Sequence, residues 1–360
     1  MNDERVVLQL PRLPWNILRS LQRISQVVNE MAKKPTSEEK IVRLKAFRDD
    51  PQSGPALEEF TRALKDRSNY VVARAAEMIG ECGIKDLMPV LRAALDRFLV
   101  NPVKTDPQCL AKTAIAEALN KLGYEDVEFF ANGMRYIQFE PVWGGETDTA
   151  AHFRGLCAFG LARSSVGDAL AVLTPLAELL ADSQKPARIN AARAIAYYSR
   201  REGIPLLRFK IRTGDEDPEV IGECFAALLS MEPREAIHFV AGYLDSPDPD
   251  LRLEAATTLG ESREVRAFEA LKTCWENHYD PEYKKTLLIA MGLSRQQVAV
   301  DFLLSLITGK DTETAADALT ALGPCLFQPS VKAKAEAAVR QNGKLELQRV
   351  WDKLVGERKE

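Results

Sequence analysis

From about residue 66 onward, apolar positions recur at helical spacing, and the pattern itself repeats. Each helical stretch ends in a large aliphatic residue followed by a second, usually small, one. The pairs are Ile79-Gly80, Leu122-Gly123, Leu161-Ala162, Ile195-Ala196, Leu228-Leu229, Leu259-Gly260, Met291-Gly292 and Leu322-Gly323. Their second members stand 43, 39, 34, 33, 31, 32 and 31 residues apart. The period settles in the C-terminal half and is stretched by insertions in the N-terminal half. Four and five residues before each terminator sit two compact or apolar residues, such as Ala75-Ala76, Cys157-Ala158, Ala191-Ala192 and Ala255-Ala256. This is i, i+4 spacing with small side chains where two helices must approach closely. Second amphipathic stretches run between, for example over 87–95, 172–180, 236–244 and 298–307. The pattern therefore predicts pairs of antiparallel helices. One pair cannot bury both of its apolar faces, so neighbours must stack. The expected fold class is all-α, an α-solenoid of about eight helix pairs.

A basic residue falls eight positions before the terminator in four units: Arg154, Arg188, Arg252 and Lys284. Asp217-Pro218, Asp248-Pro249 and Asp280-Pro281 each place an N-cap carboxylate before a first-turn proline. All three lie four residues ahead of that basic position, whereas a similar start at Asp106-Pro107 is out of register. The run from Asp248 to Gly260, DPDLRLEAATTLG, resembles the short HEAT-like repeats first named for phycobilin lyases. The resemblance covers residues 66–325. It is specific for fold and weak for function, since such repeats occur in scaffolds, lyases and enzyme accessory domains. It implies that the helix carrying the motif lines the concave face. It also implies an Asp–Arg ladder between units, with Arg154, Arg188, Arg252, Asp217, Asp248 and Asp280 as members. The ends differ from the repeats. Residues 15–32 and 37–65 read as helices broken at Asp49-Asp50-Pro51, and 331–354 as a closing helical segment. The expected organisation is a helical cap or degenerate repeat over 1–65, an array over 66–325 with an insertion at 124–150, and a helical cap over 326–360.

A helical wheel gives the exposed side of the motif helices. With the basic position as one, positions zero, four and eight point to the core, and two, three, six and ten point away. The outward residues are Gly155, Leu156, Phe159 and Arg163 in the third unit, and Ile189, Asn190, Arg193 and Tyr197 in the fourth. They are Leu253, Glu254, Thr257 and Glu261 in the sixth, and Lys285, Thr286, Ile289 and Leu293 in the seventh. The first two units add Arg74, Glu77, Glu81, Glu117 and Asn120, acidic on balance. A phosphate backbone would need a basic stripe, and this face has none. Outward Leu, Ile, Phe and Tyr fit a protein or peptide surface instead. A wheel rotated by one position would make the same residues core. The binding candidates here are Leu156, Phe159, Arg163, Ile189, Arg193 and Tyr197.

The insertion from Tyr124 to His152 reads YEDVEFFANGMRYIQFEPVWGGETDTAAH. A helix is expected over 126–136. Residues 138–148 then form a loop, with Thr147 or Asp148 capping the next helix. This loop carries Phe139, Glu140 and Trp143 beside Gly144-Gly145. Long aromatic-bearing loops are often functional, and an exposed Trp near Glu140 and Arg135 suits a binding centre. The alternative is that Phe139 and Trp143 fold back into a gap left by irregular stacking. The two glycines are a weak phosphate signal, because no strand precedes them and no G-x-G-x-x-G is present.

Composition narrows the function classes. A hydrophobic content of 46% is enough for a sizeable core. The net charge of -4 argues against a general nucleic-acid binder. No apolar run approaches the roughly 20 residues of a membrane span, and the N-terminal MNDERVVLQLPRLPW lacks an apolar secretory core. Six cysteines are scattered without a CxxC pair, as expected of reduced thiols in a cytoplasmic protein. The three histidines, His152, His238 and His278, are followed by Phe, Phe and Tyr. The His-Glu pairs of the di-iron HEAT-repeat hydroxylase of deoxyhypusine are thus missing, as are H-E-x-x-H, G-x-S-x-G and Walker sequences. No catalytic residue, metal or cofactor is expected. The expected function is a scaffold that holds a protein or peptide partner on its concave face and 138–148 loop. The resemblance leaves two alternatives open. One is a bilin lyase-like or chaperone-like subunit with a tetrapyrrole near Leu156, Phe159 and Tyr197. The other is a HEAT-like DNA glycosylase with Glu223 or Glu254 as its acid, although the basic groove it would need is lacking.

Overall fold

A computed structural model describes residues 35–164 and 168–356; the helix expected over 15–32 lies outside them. The described chain is an all-α solenoid whose helices alternate between two layers. The first layer contains Asn69–Glu81, Leu110–Leu122, Ala151–Arg163, Lys185–Tyr198, Pro218–Met231, Pro249–Glu261, Pro281–Ser294 and Thr312–Ala321. Each packs directly on the next. These eight helices carry the eight aliphatic–small pairs at or just past their ends. The second layer contains Met88–Phe98, Val127–Gly133, Ala169–Leu179, Ile204–Thr213, Pro233–Ala241, Val265–Asn277 and Gln297–Ile307. The alternation continues at both ends. Ser37–Lys45 packs on Asn69–Glu81 and Gly54–Leu64 on Met88–Phe98, while Pro329–Asn342 packs on Gln297–Ile307 and Leu345–Gly356 on Thr312–Ala321.

Local chemistry sets the helix starts. Asp248 accepts hydrogen bonds from the N–H groups of Asp250 and Leu251, and Asp280 from that of Glu282, ahead of prolines that need no such partner. Positions zero, four and eight of the motif helix are buried, as with Phe153, Cys157 and Leu161. The first-layer helices approach backbone to backbone where Gly260 faces Ala290 and Gly292 faces Ala321. Consecutive second-layer helices touch one another only sparsely. A double layer curves toward its more closely spaced side, so the first-layer face is the concave one.

The regular alternation is interrupted between Leu110–Leu122 and Ala151–Arg163. There the second-layer helix shrinks to Val127–Gly133, capped by Asp126 on the N–H of Phe129. It is followed by an antiparallel hairpin of β1, Phe139–Val142, and β2, Gly145–Asp148. The expected 138–148 loop is therefore a hairpin. Its register pairs Phe139 with Asp148 and Val142 with Gly145, leaving a two-residue turn at Trp143-Gly144. Gly144 sits at φ 94, where a side chain would be strained. The next helix begins at Ala151, with Ala150 and not Thr147 or Asp148 at its N-cap.

Candidate functional site

The hairpin is fixed to the array by a partly buried polar network. Glu140 turns inward, and its Oε1 accepts from the Gln108 N–H at 2.6 Å, Gln138 Nε2 at 2.7 Å and Thr149 Oγ1 at 2.8 Å. Gln138 Nε2 also donates to the Asp106 carbonyl at 3.0 Å, and Tyr136 donates its hydroxyl proton to Gln138 Oε1 at 2.8 Å. Beneath lies a fully buried ion pair, Lys112 Nζ to Asp106 Oδ2 at 3.0 Å. The same Asp106 carboxylate accepts from the N–H groups of Ala111 and Lys112, so it caps Leu110–Leu122 from four residues before its start. Gln108 and Cys109 hold the left-handed backbone region at φ 60 and 52, which persists only where the surroundings dictate it. Burial pushes the Cys109 thiol up to about 11, so it is not a nucleophile in waiting.

This network gives Glu140 a structural role. Half-buried, it fastens the hairpin root through its Oε1. Arg135, expected beside Trp143, pairs instead with Glu178 at 3.0 Å. Phe139 and Trp143 do not fold back into a gap: Phe139 is 57% exposed and Trp143 is wholly exposed, packing on nothing. Gly145 has open space around it. Trp143→Ala should therefore leave the urea midpoint within about 0.5 kcal/mol of wild type. Glu140→Ala, which removes three hydrogen bonds to a carboxylate at the hairpin root, should cost about 1–3 kcal/mol in the same titration. Equal effects would show that the network does not anchor the hairpin.

The Asp–Arg ladder exists in part. Buried Arg154 bonds Asp148 at 2.7 Å within its own unit and Asp182 of the next at 2.8 Å, and donates to the Tyr136 carbonyl. Arg188 reaches Asp215 at 2.8 Å and Asp217 at 2.9 Å. Burial disfavours the charge of Arg154, but the bonds to Asp182 and Asp148 outweigh it and raise its pKa. The ladder does not extend to Arg252. That guanidinium stacks on the Tyr283 ring at 5.0 Å, while Asp248 and Asp280 serve as N-caps alone. Arg252 is thus held by an aromatic ring, whereas Arg154 and Arg188 are held by carboxylates.

On the concave face, Leu156 and Phe159 are half-buried against the core. Phe159 meets Tyr197 edge to face, with ring centroids 6.1 Å apart, and Tyr197 is 56% exposed. Exposed Arg193 pairs with Glu223, its Nε 2.9 Å from Glu223 Oε2. Arg163 donates to the Tyr124 carbonyl at 2.5 Å. Ile189 is buried, because neighbouring helices close over that position, so it is not part of the surface. Trp143, touching nothing, does not meet Leu156 or Phe159, so the hairpin tip and the aromatic pair are separate features. Clefts of about 310 and 270 Å³ flank the short helix Val127–Gly133 in the second layer, bounded by Pro175 on one side and Leu95 on the other. Neither includes Leu156, Phe159 or Tyr197. Among the described residues no helix is long and apolar enough to cross a membrane, and no group of three or more His, Cys, Asp or Glu is placed to hold a metal ion.

Two stacked layers of short antiparallel helices with an uninterrupted first layer define an α-solenoid. Residues 238–323 match the family model described as HEAT repeats, and the chain is a HEAT-like repeat protein. No curated protein matches it in sequence. Among solved structures it is similar to Kap121p, at 13% identity and TM-score 0.47, over 92% of this chain and 43% of that one. It thus spans less than half of Kap121p. It is also similar to the complex of CpcE and CpcF of phycocyanin lyase from Nostoc sp. PCC7120, at 15% identity and TM-score 0.30, over 89% and 96%. Human deoxyhypusine hydroxylase in complex with glycerol is similar at 15% identity and TM-score 0.27, over 87% and 99%.

Proposed function

We propose that the chain is a protein-binding scaffold that holds a protein or peptide partner with its concave face and its hairpin tip. The observation that carries this reading is Trp143, held wholly in water at the end of a hairpin whose root is locked by hydrogen bonds to Glu140. An indole in that position contributes nothing to folding, while its rigid presentation lowers the entropy lost on binding. The Phe159–Tyr197 pair adds a second apolar contact on the face that the curvature makes a groove. The test is photo-crosslinking from position 143 and, separately, from position 159 in the full chain. Both should capture the same partner, and Trp143→Ala with Phe159→Ala should weaken its binding about a hundredfold at a temperature where melts show the double variant still folded. Undiminished binding by the double variant would overturn the proposal.

A further inference from the structure

Charge is unevenly spread over the concave face. Between Lys185–Tyr198 and Thr312–Ala321, three cations of the first-layer helices are already taken within the chain. Arg193 pairs with Glu223, Lys185 with Glu219, and Lys285 with Asp317 at 3.8 Å. Glu254 and Glu261 have no such partner among the described residues. The Glu254 carboxylate leans over the preceding helix at Gly222, where an added Cβ would fall 2.9 Å from its Cδ. Burial and the neighbouring Glu219, Glu223 and Glu261 hold its carboxyl above the usual range. Two units further on, burial also raises Asp317, assisted by Glu313 and Glu282 against the pull of Lys285. Glu254 and Glu261 are thus carboxylates of this face that no ion pair of the described chain engages.

On the same pair of helices as Gly222 and Glu254 a cleft of about 330 Å³ opens, with Ala226 and Leu229 as its apolar wall and Ser230, Glu261 and Glu264 as its polar one. It lies where Pro218–Met231 and Pro249–Glu261 both end, so the carbonyl ends of two helices add to the negative potential. An apolar wall leading to carboxylates suits the aliphatic stem and charged head of Lys or Arg. From Glu261 to Tyr197 the path crosses two helix spacings, about 16–20 Å at 8–10 Å each. About six residues of extended chain cover that distance.

We propose that this stretch of the concave face receives an extended basic segment of the partner protein. One Lys or Arg enters the Glu261–Glu264 cleft, a second cation meets Glu254, and an apolar side chain some six residues away seats on the Phe159–Tyr197 pair. The assignment rests on the scaffold reading above and adds the chemistry of the occupant. A nucleic acid is the wrong occupant, since its phosphates would meet unpaired carboxylates.

The experiment is selection of random 12-residue displayed peptides on the immobilised full chain, repeated on Glu254→Gln/Glu261→Gln and on Phe159→Ala/Tyr197→Ala. Gln keeps the shape of each side chain and removes only charge. Thermal melts check that both variants are folded. The expected result is enrichment of peptides with Lys or Arg spaced from an apolar residue. Their binding should fall with salt and weaken about tenfold or more on either variant. Neutral or acidic peptides lost on Phe159→Ala/Tyr197→Ala but kept on the Gln variant would overturn the basic segment and leave the groove reading standing. Peptides indifferent to both variants would overturn the groove as well.

Discussion

Replacing Arg154 by alanine is expected to destabilise the fold by about 3–5 kcal/mol, because it removes one partner of a buried ion pair and leaves the others in place. Arg154 is 1% exposed and makes charged contacts in two directions, to Asp148 and to Asp182. Its loss would leave those carboxylates with no cation between them. Asp148 is itself part of the hairpin, where it accepts from the N–H groups of Gln138 and Ala150. The damage should therefore be local first. In hydrogen exchange, the amides of Gln138 and Ala150 should lose protection before those of Pro249–Glu261, which lies units away in an array of nearest-neighbour contacts. Arg154→Lys keeps the charge but not the planar fork, so it should fall between wild type and alanine. A urea midpoint shift worth less than 1 kcal/mol for the alanine variant would show that the network is dispensable.

The solenoid was legible because its two determinants are periodic. Aliphatic–small pairs mark the ends of first-layer helices, and the motif wheel separates Phe153, Cys157 and Leu161, which are buried, from Phe159 and Tyr197, which are not. What was not legible depends on contacts between residues far apart in sequence. Asp106 and Lys112 look like solvated charges, yet both are fully buried because each is the other's partner and Asp106 also caps a helix. The out-of-register Asp106-Pro107 was the available signal that this start differs from the rest. The strands of the hairpin are four residues each, too short for alternation to stand out, and Pro141 speaks against a strand. They form because Glu140 and Asp148 find buried donors on neighbouring elements. The wheel placed Ile189 outward; its burial reflects the closeness of adjacent helices, which a wheel for one helix does not contain.

The terminator glycines show how one sequence position can serve two physical purposes, and they set the second large effect. Gly123 ends its helix at φ 79, as a left-handed cap. Gly260 and Gly292 lie inside their helices and have ordinary φ, so their need for glycine is one of space. A Cβ on Gly292 would stand 2.8 Å from the carbonyl carbon of Ala321 and closer still to its oxygen, and on Gly260 it would stand 2.9 Å from that of Ala290. Those are backbone atoms of the next helix and cannot rotate aside. Alanine in a helix interior gains up to about 1 kcal/mol over glycine, so the sign depends on which term is larger. Separating two packed helices typically costs about 1–3 kcal/mol, and Gly292→Ala is expected to be a net loss. Gly292→Val adds volume and forfeits the propensity gain, so it should cost more. Because contacts run only between neighbours, the cost should appear as loosening of Thr312–Ala321 and the helices after it, with a separate early melting step. A single cooperative transition at or above the wild-type temperature would mean that Ala321 can retreat without loss.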